Sequence, residues 1–368
     1  MTHFGLASTH LQLTKRQTED LLARYVVFLL DGWSIKKQCI ATKTIKGYLR
    51  AINTYYESNG VRAPYVDADD SPAQRILLGQ KKFEDIPERR EPLHDFVLTR
   101  MGDLAQSASP LGFAAAVWDI SALGRLAGFR QQEYAMDSRT SPKYYVKPDG
   151  TKVLRAFAVN NFLFRDALGV LVQDPLSRRE AVVQVGIRYD IQKNGMNGQV
   201  IWYHMEPRYP EFCPVQVAFR LVRRALSLGQ APSDPLCVYQ LPSGQKCFLT
   251  GTDVTAYYRR VTKMVFPQIC DDELRLISSH SLRVKACVLL AEAGKSGYYI
   301  KLRLRWKSDC FEVYLRNTLT ISIQHNAALE SANDAMRVHG LADLSALPDI
   351  EVDNLAAHLE DYVLDDED

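Results

Sequence analysis

The sequence predicts a mainly α-helical protein with a small β-sheet, divided into two domains. A chain of 368 residues is long enough for two domains. Its first ~90 residues show only helical periodicity, whereas residues 150–205 are rich in β-forming side chains. The stretch FEDIPERREP at residues 83–92 holds two prolines and charges of both signs, which is typical of a linker. We therefore expect a helical domain over residues 1–90, an α+β domain over 93–325 and a C-terminal helix and tail over 326–368.

Three helices are expected in the first domain. Residues 14–32 open with Thr14 and Gln17, which have the spacing of a capping box, and continue with apolar residues at helical spacing. A second helix over residues 44–60 would end at its Asn-Gly pair, and a third is expected near residues 74–86. Lysines and arginines lie between the apolar stripes of these helices. They either touch the phosphates of a polyanion or form a plain solvated face.

The second domain is expected to mix helices with one β-hairpin. The hairpin consists of two β-rich runs on either side of KNGMNG, residues 193–198, whose Asn-Gly step favours a tight turn. Ser109 and Pro110 have the character of an N-cap and a first-turn residue, and they predict the start of one helix. The expected helices span residues 93–106, 110–129, 214–228, 252–266 and 280–293.

Composition places the chain among ordinary folded proteins. Its 46% hydrophobic and 24% charged residues are typical of a globular protein, and no run of about 18 apolar residues predicts a membrane-spanning helix. The N-terminus lacks the basic and apolar segments of a signal peptide. The seven cysteines form no Cys-x-x-Cys pair and lie away from histidines at zinc spacing. We therefore expect free thiols in a reducing, intracellular compartment and no structural zinc.

The Gly-Lys-Ser at residues 294–296 is not expected to be a nucleotide-binding loop. Such a loop needs a glycine five positions before its second glycine, and here that position is Leu289. No predicted strand precedes the segment either. We therefore expect no nucleotide cofactor.

Charge is distributed unevenly along the chain. The formal net charge is only +2, but residues 341–368 contain ten Asp or Glu and no Lys or Arg. Without this tail, 45 basic residues face 33 acidic ones, which leaves a body of net charge +12. A basic body favours a polyanionic partner such as nucleic acid, although it also serves solubility alone.

Polar residues in otherwise apolar surroundings are the candidates for chemistry in the second domain. His280 and Arg283 stand at the start of a predicted helix, and an i,i+3 pair shares one helix face. Each candidate has an ordinary explanation when taken alone: a charge at a helix end, a solvated turn, a cap or a core aromatic. The candidates, in chain order, are Arg130, Glu133, Lys193, His280, Arg283, Trp306 and Tyr314.

These residue types together suit the transfer of a phosphodiester. Two arginines can bind its non-bridging oxygens and stabilise the charge of a five-coordinate transition state. A tyrosine hydroxyl, whose reference pKa is about 10, can attack phosphorus while a histidine accepts its proton or binds the phosphate. A lysine on a hairpin can protonate the leaving 5′ oxygen, and an indole N–H can donate one further bond. Cationic side chains then supply the charge that a metal ion would otherwise provide.

The order and spacing of these residues resemble the pattern of the tyrosine recombinase (phage-integrase-like) family. The resemblance extends over nearly the whole chain. HSLR, with His280 and Arg283, is similar to the most diagnostic box of the family. AGFRQQEY carries Arg130 in the place of the first arginine, with Glu133 three residues later. By the same resemblance the remaining positions are filled by Lys193 as the hairpin lysine, Trp306 in the His-or-Trp position and Tyr314 as the nucleophile.

One departure from the family pattern points to a particular branch. Trp306 and Tyr314 are eight residues apart, where many bacterial and phage members have nine. The stretch RWKSDCFEVYLR is similar to the eukaryotic mobile-element branch, the Crypton-type recombinases. Membership of that branch would place the protein in a nucleus.

The resemblance implies a fold, a reaction and an assembly. The fold is a helical core-binding domain plus a catalytic domain, which together form a C-shaped clamp. The reaction cleaves and rejoins double-stranded DNA through a 3′-phosphotyrosyl intermediate, without ATP or a divalent metal, for DNA integration and recombination of a mobile element. Members act as a homo-tetramer on two duplexes. The semi-apolar segment LTISIQHNAALESANDAM after Tyr314 would then dock on a neighbouring protomer, or else pack on its own domain.

Two other functions fit the same residues: a catalytically inactive, domesticated DNA-binding protein of this fold, and a type IB topoisomerase-like enzyme. A domesticated relative would be expected to lose at least one of Arg130, His280, Arg283 and Tyr314, and all four are present. The helical first domain and the HSLR box favour a recombinase over a topoisomerase. The acidic tail is either a solubilising segment or a DNA mimic that occupies the basic groove until substrate displaces it.

Overall fold

The computed structural model describes residues 14–33, 40–60, 62–64, 71–84, 89–147, 149–192, 195, 197–315 and 327. The chain divides into two compact units, Met1–Glu88 and Arg89–Asp368. Helices predominate, and the described strands form only small antiparallel sheets. The predicted fold class, mainly α with a small β-sheet, is therefore confirmed. The expected helix after Tyr314 (apart from Ala327) and the acidic tail lie outside the described residues.

The described helices of the first unit are α1 (Lys15–Leu30), α2 (Thr42–Ser58) and α3 (Pro72–Lys81). Thr14 and Gln17 form the predicted capping box at the start of α1. α3 lies earlier than predicted, because Ser71 caps its N-terminus and Pro72 occupies its first turn. The apolar faces of the three helices share one core, formed by Leu22, Val26, Leu29, Ile45, Leu49, Ala73 and Leu77.

The described helices of the second unit are α4 (Asp95–Gln106), α5 (Phe113–Ala127), α6 (Gln131–Tyr134), α7 (Pro214–Ser227), α8 (Gly251–Val265), α9 (Asp271–Leu276), α10 (Ser281–Glu292) and α11 (Gly297–Leu304). α5 is buried along most of its length and packs against α4, α7 and α10. At Gly124 the helices α5 and α10 approach so closely that an added Cβ would lie 2.3 Å from Leu282 Cδ2. The expected helices near 214–228, 252–266 and 280–293 are confirmed to within a residue or two.

The predicted start of α5 at Ser109 and Pro110 is wrong. The helix begins at Phe113, with Gly112 as its N-cap. Ser109 instead closes a tight turn, because its carbonyl accepts the Gly112 N–H at 2.8 Å. The Pro110 carbonyl accepts a bond from Arg224 Nε at 2.8 Å, so a distant arginine holds the turn. The Ser-Pro signal is therefore used by the turn that precedes the helix.

The predicted β-hairpin belongs to a three-stranded antiparallel sheet of order β3-β4-β5. Tyr189, the last residue of β4, pairs with Gln199, the first residue of β5, so the hairpin prediction is confirmed. Two further hairpins, β1–β2 and β6–β7, were not predicted because three-residue strands are too short to show alternation. The strands are β1 (Tyr144–Val146), β2 (Lys152–Leu154), β3 (Phe162–Arg165), β4 (Gln184–Tyr189), β5 (Gln199–His204), β6 (Val238–Gln240) and β7 (Lys246–Phe248).

The end of the described chain packs as a small separate cluster. α10 and α11 meet a short 3₁₀ helix, Asp309–Tyr314, around the buried residues Cys287, Ile300, Leu304 and Phe311. The six cysteines within the described residues are free. None of the described helices has the length and apolarity needed to cross a bilayer.

Candidate active site

Six of the seven predicted site residues come together where α5 ends, α10 begins and α11 ends. Arg130 follows the left-handed Gly128 that terminates α5, and it forms the N-cap of α6. An added Cβ at Gly128 would lie 2.8 Å from Leu304 Cδ2, so a glycine is needed there for both conformation and space. Lys193, the seventh predicted residue, lies outside the described residues.

Arg130 is held on two sides and still reaches solvent. Its Nη1 donates to Glu133 Oε1 at 2.9 Å, and its Nη2 donates to the Arg305 carbonyl at 2.6 Å. The Arg130 backbone N–H bonds to the other carboxylate oxygen, Oε2, at 2.9 Å. The side chain of Arg130 is 21% exposed, whereas that of Glu133 is only 7% exposed. Glu133 therefore orients Arg130 from the interior, and the guanidinium can meet an anion at the surface.

Arg283 is almost fully buried, with 1% of its surface exposed. Its Nη1 donates to the Gly128 carbonyl, and its Nη2 donates to the Leu304 carbonyl at 2.6 Å. Its guanidinium also lies over the Trp306 ring, 4.2 Å from the centroid. A guanidinium has five N–H donors, so these two bonds leave others for a ligand. Burial, followed by the charges of Arg130 and Arg305, lowers the pKa of Arg283 to about 9, which still leaves the group charged at neutral pH.

His280 and Tyr314 are brought within hydrogen-bond distance although 34 residues separate them in the chain. His280 Nε2 lies 3.3 Å from the Tyr314 hydroxyl oxygen. The histidine is the N-cap of α10, and the tyrosine is the last residue of the 3₁₀ helix. Arg89 Nη1 donates to the Val313 carbonyl at 3.3 Å, beside the tyrosine.

In this pair the tyrosine carries a proton and the histidine is uncharged. Burial lowers the pKa of His280 to about 4, and the charges of Arg283 and Arg90 act in the same direction. Burial, followed by Cys310, raises the pKa of Tyr314, and Arg89 opposes this. At neutral pH the imidazole is therefore uncharged and can accept a proton, while the hydroxyl still carries one.

Trp306 closes one side of the pair. Its ring centroid lies 6.5 Å from that of Tyr314 and 6.4 Å from that of Phe311. Its Nε1 is buried and has no hydrogen-bond partner within the described part of the chain. A buried N–H without a partner is costly, so this donor is available for an acceptor atom of a ligand.

Arg305 belongs to the site but was missed by sequence reasoning. It is 2% exposed, and its Nη2 donates to Glu133 Oε2 at 2.8 Å. Arginine is usually exposed, so nothing in LRLRWKSD singled it out. The Glu133 carboxylate bonds to the guanidinium groups of Arg130 and Arg305, and the charge of Arg283 lies near enough to be influenced by it. Three cationic groups thus lie around one carboxylate. The excess positive charge favours an anionic ligand.

A cavity of about 770 Å³ lies elsewhere in the second unit. None of the predicted site residues lines it, and its walls include Trp118, Met205 and Arg220. No three His, Cys, Asp or Glu side chains among the described residues converge in a way that could hold a metal ion.

Comparisons with known proteins give structural neighbours only. No protein-family model matches the chain, and no curated protein matches it. The chain is similar to XerA recombinase (13% identity, 86% of this chain and 85% of that chain covered, TM-score 0.37). It is also similar to the Tn1549 transposon integrase in complex with transposon right end DNA (12% identity, 89% of this chain and 85% of that chain covered, TM-score 0.44). A third similar structure is a lambda integrase dimer bound to a COC′ core site (12% identity, 85% of this chain and 83% of that chain covered, TM-score 0.39).

Proposed function

We propose that this protein is a tyrosine recombinase that cleaves and rejoins double-stranded DNA. The observation that carries the proposal is the pairing of the Tyr314 hydroxyl with an uncharged His280 at 3.3 Å, beside the buried Arg283. A nucleophile, a proton acceptor and a cation for the phosphate thus meet in one place, although residues 280 and 314 belong to different elements.

In the first step the Tyr314 oxygen attacks the scissile phosphorus and its proton passes to His280 Nε2. The bond from phosphorus to the 5′ oxygen breaks, and that oxygen takes up a proton and leaves as a 5′-hydroxyl. The product is a 3′-phosphotyrosyl link. Lys193, by its place in the sequence between β4 and β5, is our candidate for the acid that protonates the leaving oxygen.

Arg130 and Arg283 act on the non-bridging oxygens. Each contributes a fixed positive charge where negative charge increases in the five-coordinate transition state. Because both guanidinium groups are already bonded to backbone carbonyls or to Glu133, they need little reorganisation when the charge develops. The indole N–H of Trp306 supplies one further donor.

In the second step a 5′-hydroxyl of a partner duplex attacks the phosphotyrosyl phosphorus and gives its proton to the group that acted as the acid in the first step. The bond from phosphorus to the Tyr314 oxygen breaks, and that oxygen regains its proton from His280. One phosphoester replaces another in each step, so the two steps conserve bond energy without ATP. We further propose that the chain acts as a homo-tetramer on two duplexes and serves the integration or transposition of a mobile element. The similarity of RWKSDCFEVYLR to Crypton-type sequences supports that branch and a nuclear location.

The proposal is tested by trapping the covalent intermediate. The full chain is incubated in EDTA with a library of randomised inverted-repeat duplexes that carry a 5′-bridging sulfur at the scissile phosphate. A thiolate leaves readily and returns poorly, so DNA-linked protein is expected to accumulate with the wild type. Tyr314→Phe, which keeps the ring and removes the nucleophile, is expected to form none.

The same material distinguishes the other functions. DNA binding without covalent adducts in either protein would contradict the proposal in favour of an inactive DNA-binding protein. Adducts and relaxation of supercoiled plasmid, without joining of two duplexes into a recombinant, would indicate a topoisomerase.

A further inference from the structure

Arg305 has the most unusual backbone of the site. It ends α11 in the left-handed conformation, with φ of 57°, and is the only described residue other than glycine with a positive φ. Side chains with a Cβ rarely adopt this conformation, and where they do, the surroundings must hold them there. The neighbouring residue along the chain is Trp306. The contacts of Arg305 therefore decide how the chain turns into the segment that carries Trp306 and Tyr314.

The side chain of Arg305 joins three separate elements. Its Nη2 bonds to Glu133 in α6 at 2.8 Å, and its Nη1 bonds to the carbonyl of Ala127, the last residue of α5, at 3.2 Å. Its guanidinium lies over the ring of Tyr189, the last residue of β4, 3.7 Å from the centroid. The strand β4 leads directly into the hairpin turn that contains Lys193. One buried cation thus contacts the end of α5, the helix α6 that follows Arg130, and the end of β4.

The backbone of Arg305 completes the arrangement. Its carbonyl accepts the bond from Arg130 Nη2 at 2.6 Å, while Glu133 Oε1 binds Arg130 Nη1. The Glu133 carboxylate therefore bonds to two guanidinium groups, through Oε1 to that of Arg130 and through Oε2 to that of Arg305. Without the Arg305 side chain, Glu133 would lose its second bonding partner. The carbonyl of residue 305, which orients Arg130, would no longer be held in place.

We infer that Arg305 is a positioning residue that holds Arg130 in its working orientation without touching the substrate. Unlike Arg283, Arg305 bonds directly to Glu133, the carboxylate that also holds Arg130, and its own carbonyl accepts a bond from Arg130. One face of its guanidinium is covered by the Tyr189 ring. A lysine could not replace it fully, because the three contacts need a planar group with two separated donors and a face for the Tyr189 ring. The inference rests on the proposed function for what the orientation serves.

Arg303 offers a matched control two residues earlier. Its guanidinium lies 4.9 Å from the centroid of Tyr203 in β5, and its Nη2 donates to the Trp202 carbonyl at 3.2 Å. It therefore makes the same kinds of contact with the neighbouring strand, but no contact with Glu133 or Arg130 is found for it among the described residues. A general loss of packing between α11 and the sheet would affect both arginines alike.

The test is a double-mutant cycle on single-turnover cleavage. We expect Arg305→Met to slow cleavage roughly 100-fold, as removal of one oriented donor does, and Arg305→Lys to recover part of this. Because Arg305 acts through Arg130, adding Arg305→Met to Arg130→Ala should cost less than about threefold more. Arg303→Met should stay within about threefold of the wild type. Equal effects of Arg303→Met and Arg305→Met, or full additivity with Arg130→Ala, would overturn the inference.

A crystal structure of Arg305→Met separates this inference from the proposed function. If the wild type forms no covalent adduct, the proposed function fails, but the orientation of Arg130 is still observable. We expect its guanidinium to turn away from the position between Glu133 Oε1 and the carbonyl of residue 305. An unchanged Arg130 in a folded Arg305→Met protein would refute the positioning role whatever the activity. If that variant does not fold, Arg305→Lys takes its place in both measurements.

Discussion

The imidazole of His280 and the hydroxyl of Tyr314 face each other across 3.3 Å, from the start of α10 to the end of a 3₁₀ helix. The histidine is uncharged at neutral pH because burial disfavours its cationic form. Its Nε2 can accept the tyrosine proton only while it stays uncharged.

The burial of His280 should make stability depend on pH. Its pKa is about 4 in the folded protein, compared with 6.5 for an unperturbed histidine. Between these values the unfolded state binds more protons, so the free energy of unfolding falls as the pH drops from 6.5 toward 4. His280→Gln cannot take up the proton. Its free energy of unfolding, measured with urea at several pH values, should therefore change less steeply with pH than that of the wild type. His204→Gln, at an exposed position in β5, should retain the wild-type slope, and equal slopes for all three proteins would contradict the burial argument.

Lys193 should be needed only when the leaving oxygen must be protonated. We expect Lys193→Ala to cleave ordinary DNA about 100-fold more slowly, the usual size of a general-acid contribution. On DNA with a 5′-bridging sulfur the variant should approach the wild-type rate, because a thiolate leaves without a proton. Single-turnover cleavage of the two substrates measures this. Equal slowness on both would show that Lys193 is not the acid.

Trp306 should act through its N–H as well as its ring. Trp306→Phe keeps an aromatic face for Arg283 but removes the unpartnered Nε1 donor. We expect roughly tenfold slower cleavage, about the value of one hydrogen bond, with little change in Tm. Trp202, which stacks under Arg165 at 3.8 Å, is the matched control, and Trp202→Phe should leave the rate unchanged. If the Trp306→Phe protein cleaves at the wild-type rate, only the aromatic ring of Trp306, and not its N–H, contributes to cleavage.

The close approach of α5 and α10 should make Gly124 hard to replace. An added Cβ there would meet Leu282 Cδ2 at 2.3 Å, so Gly124→Ala should destabilise the second unit by about 1–3 kcal/mol. The same change at Gly47, an exposed position of α2 with no atom within 4 Å, should instead stabilise its helix by about 0.5–1 kcal/mol. Thermal unfolding of the two variants should therefore show Tm shifts of opposite sign. A neutral Gly124→Ala would mean that the helices can move apart without cost.

The acidic tail should compete with DNA if it mimics it. Residues 341–368 carry ten carboxylates and lie outside the described residues. Their deletion should then raise DNA affinity at low salt beyond a uniform Coulomb effect, and the gain should shrink as salt screens it. Affinity is measured by titrating labelled duplex across several salt concentrations. Unchanged binding would leave the tail as a solubilising segment.

Local sequence signals were sufficient to predict most of the helices and the β4–β5 hairpin. The capping box at Thr14, the β4–β5 hairpin and the helix that begins after His280 were all predicted from spacing and turn residues. The roles assigned to the seven site residues stay predictions, although six of them now lie together. The prediction failed at Ser109, where the same residue pair that can start a helix closes a turn held by Arg224.

By itself, the sequence determined which chemical groups this protein has and in what order they occur, because periodicity, caps and motif spacing are local. Only the tertiary structure decided which of these groups contact one another. Arg305 is tied to Ala127, Glu133 and Tyr189, which lie more than 100 residues away in the chain and on three different elements. Its left-handed backbone is tolerated because those contacts hold it. No local pattern encodes such a residue, since its burial and its partners exist only once the helices and the sheet have packed.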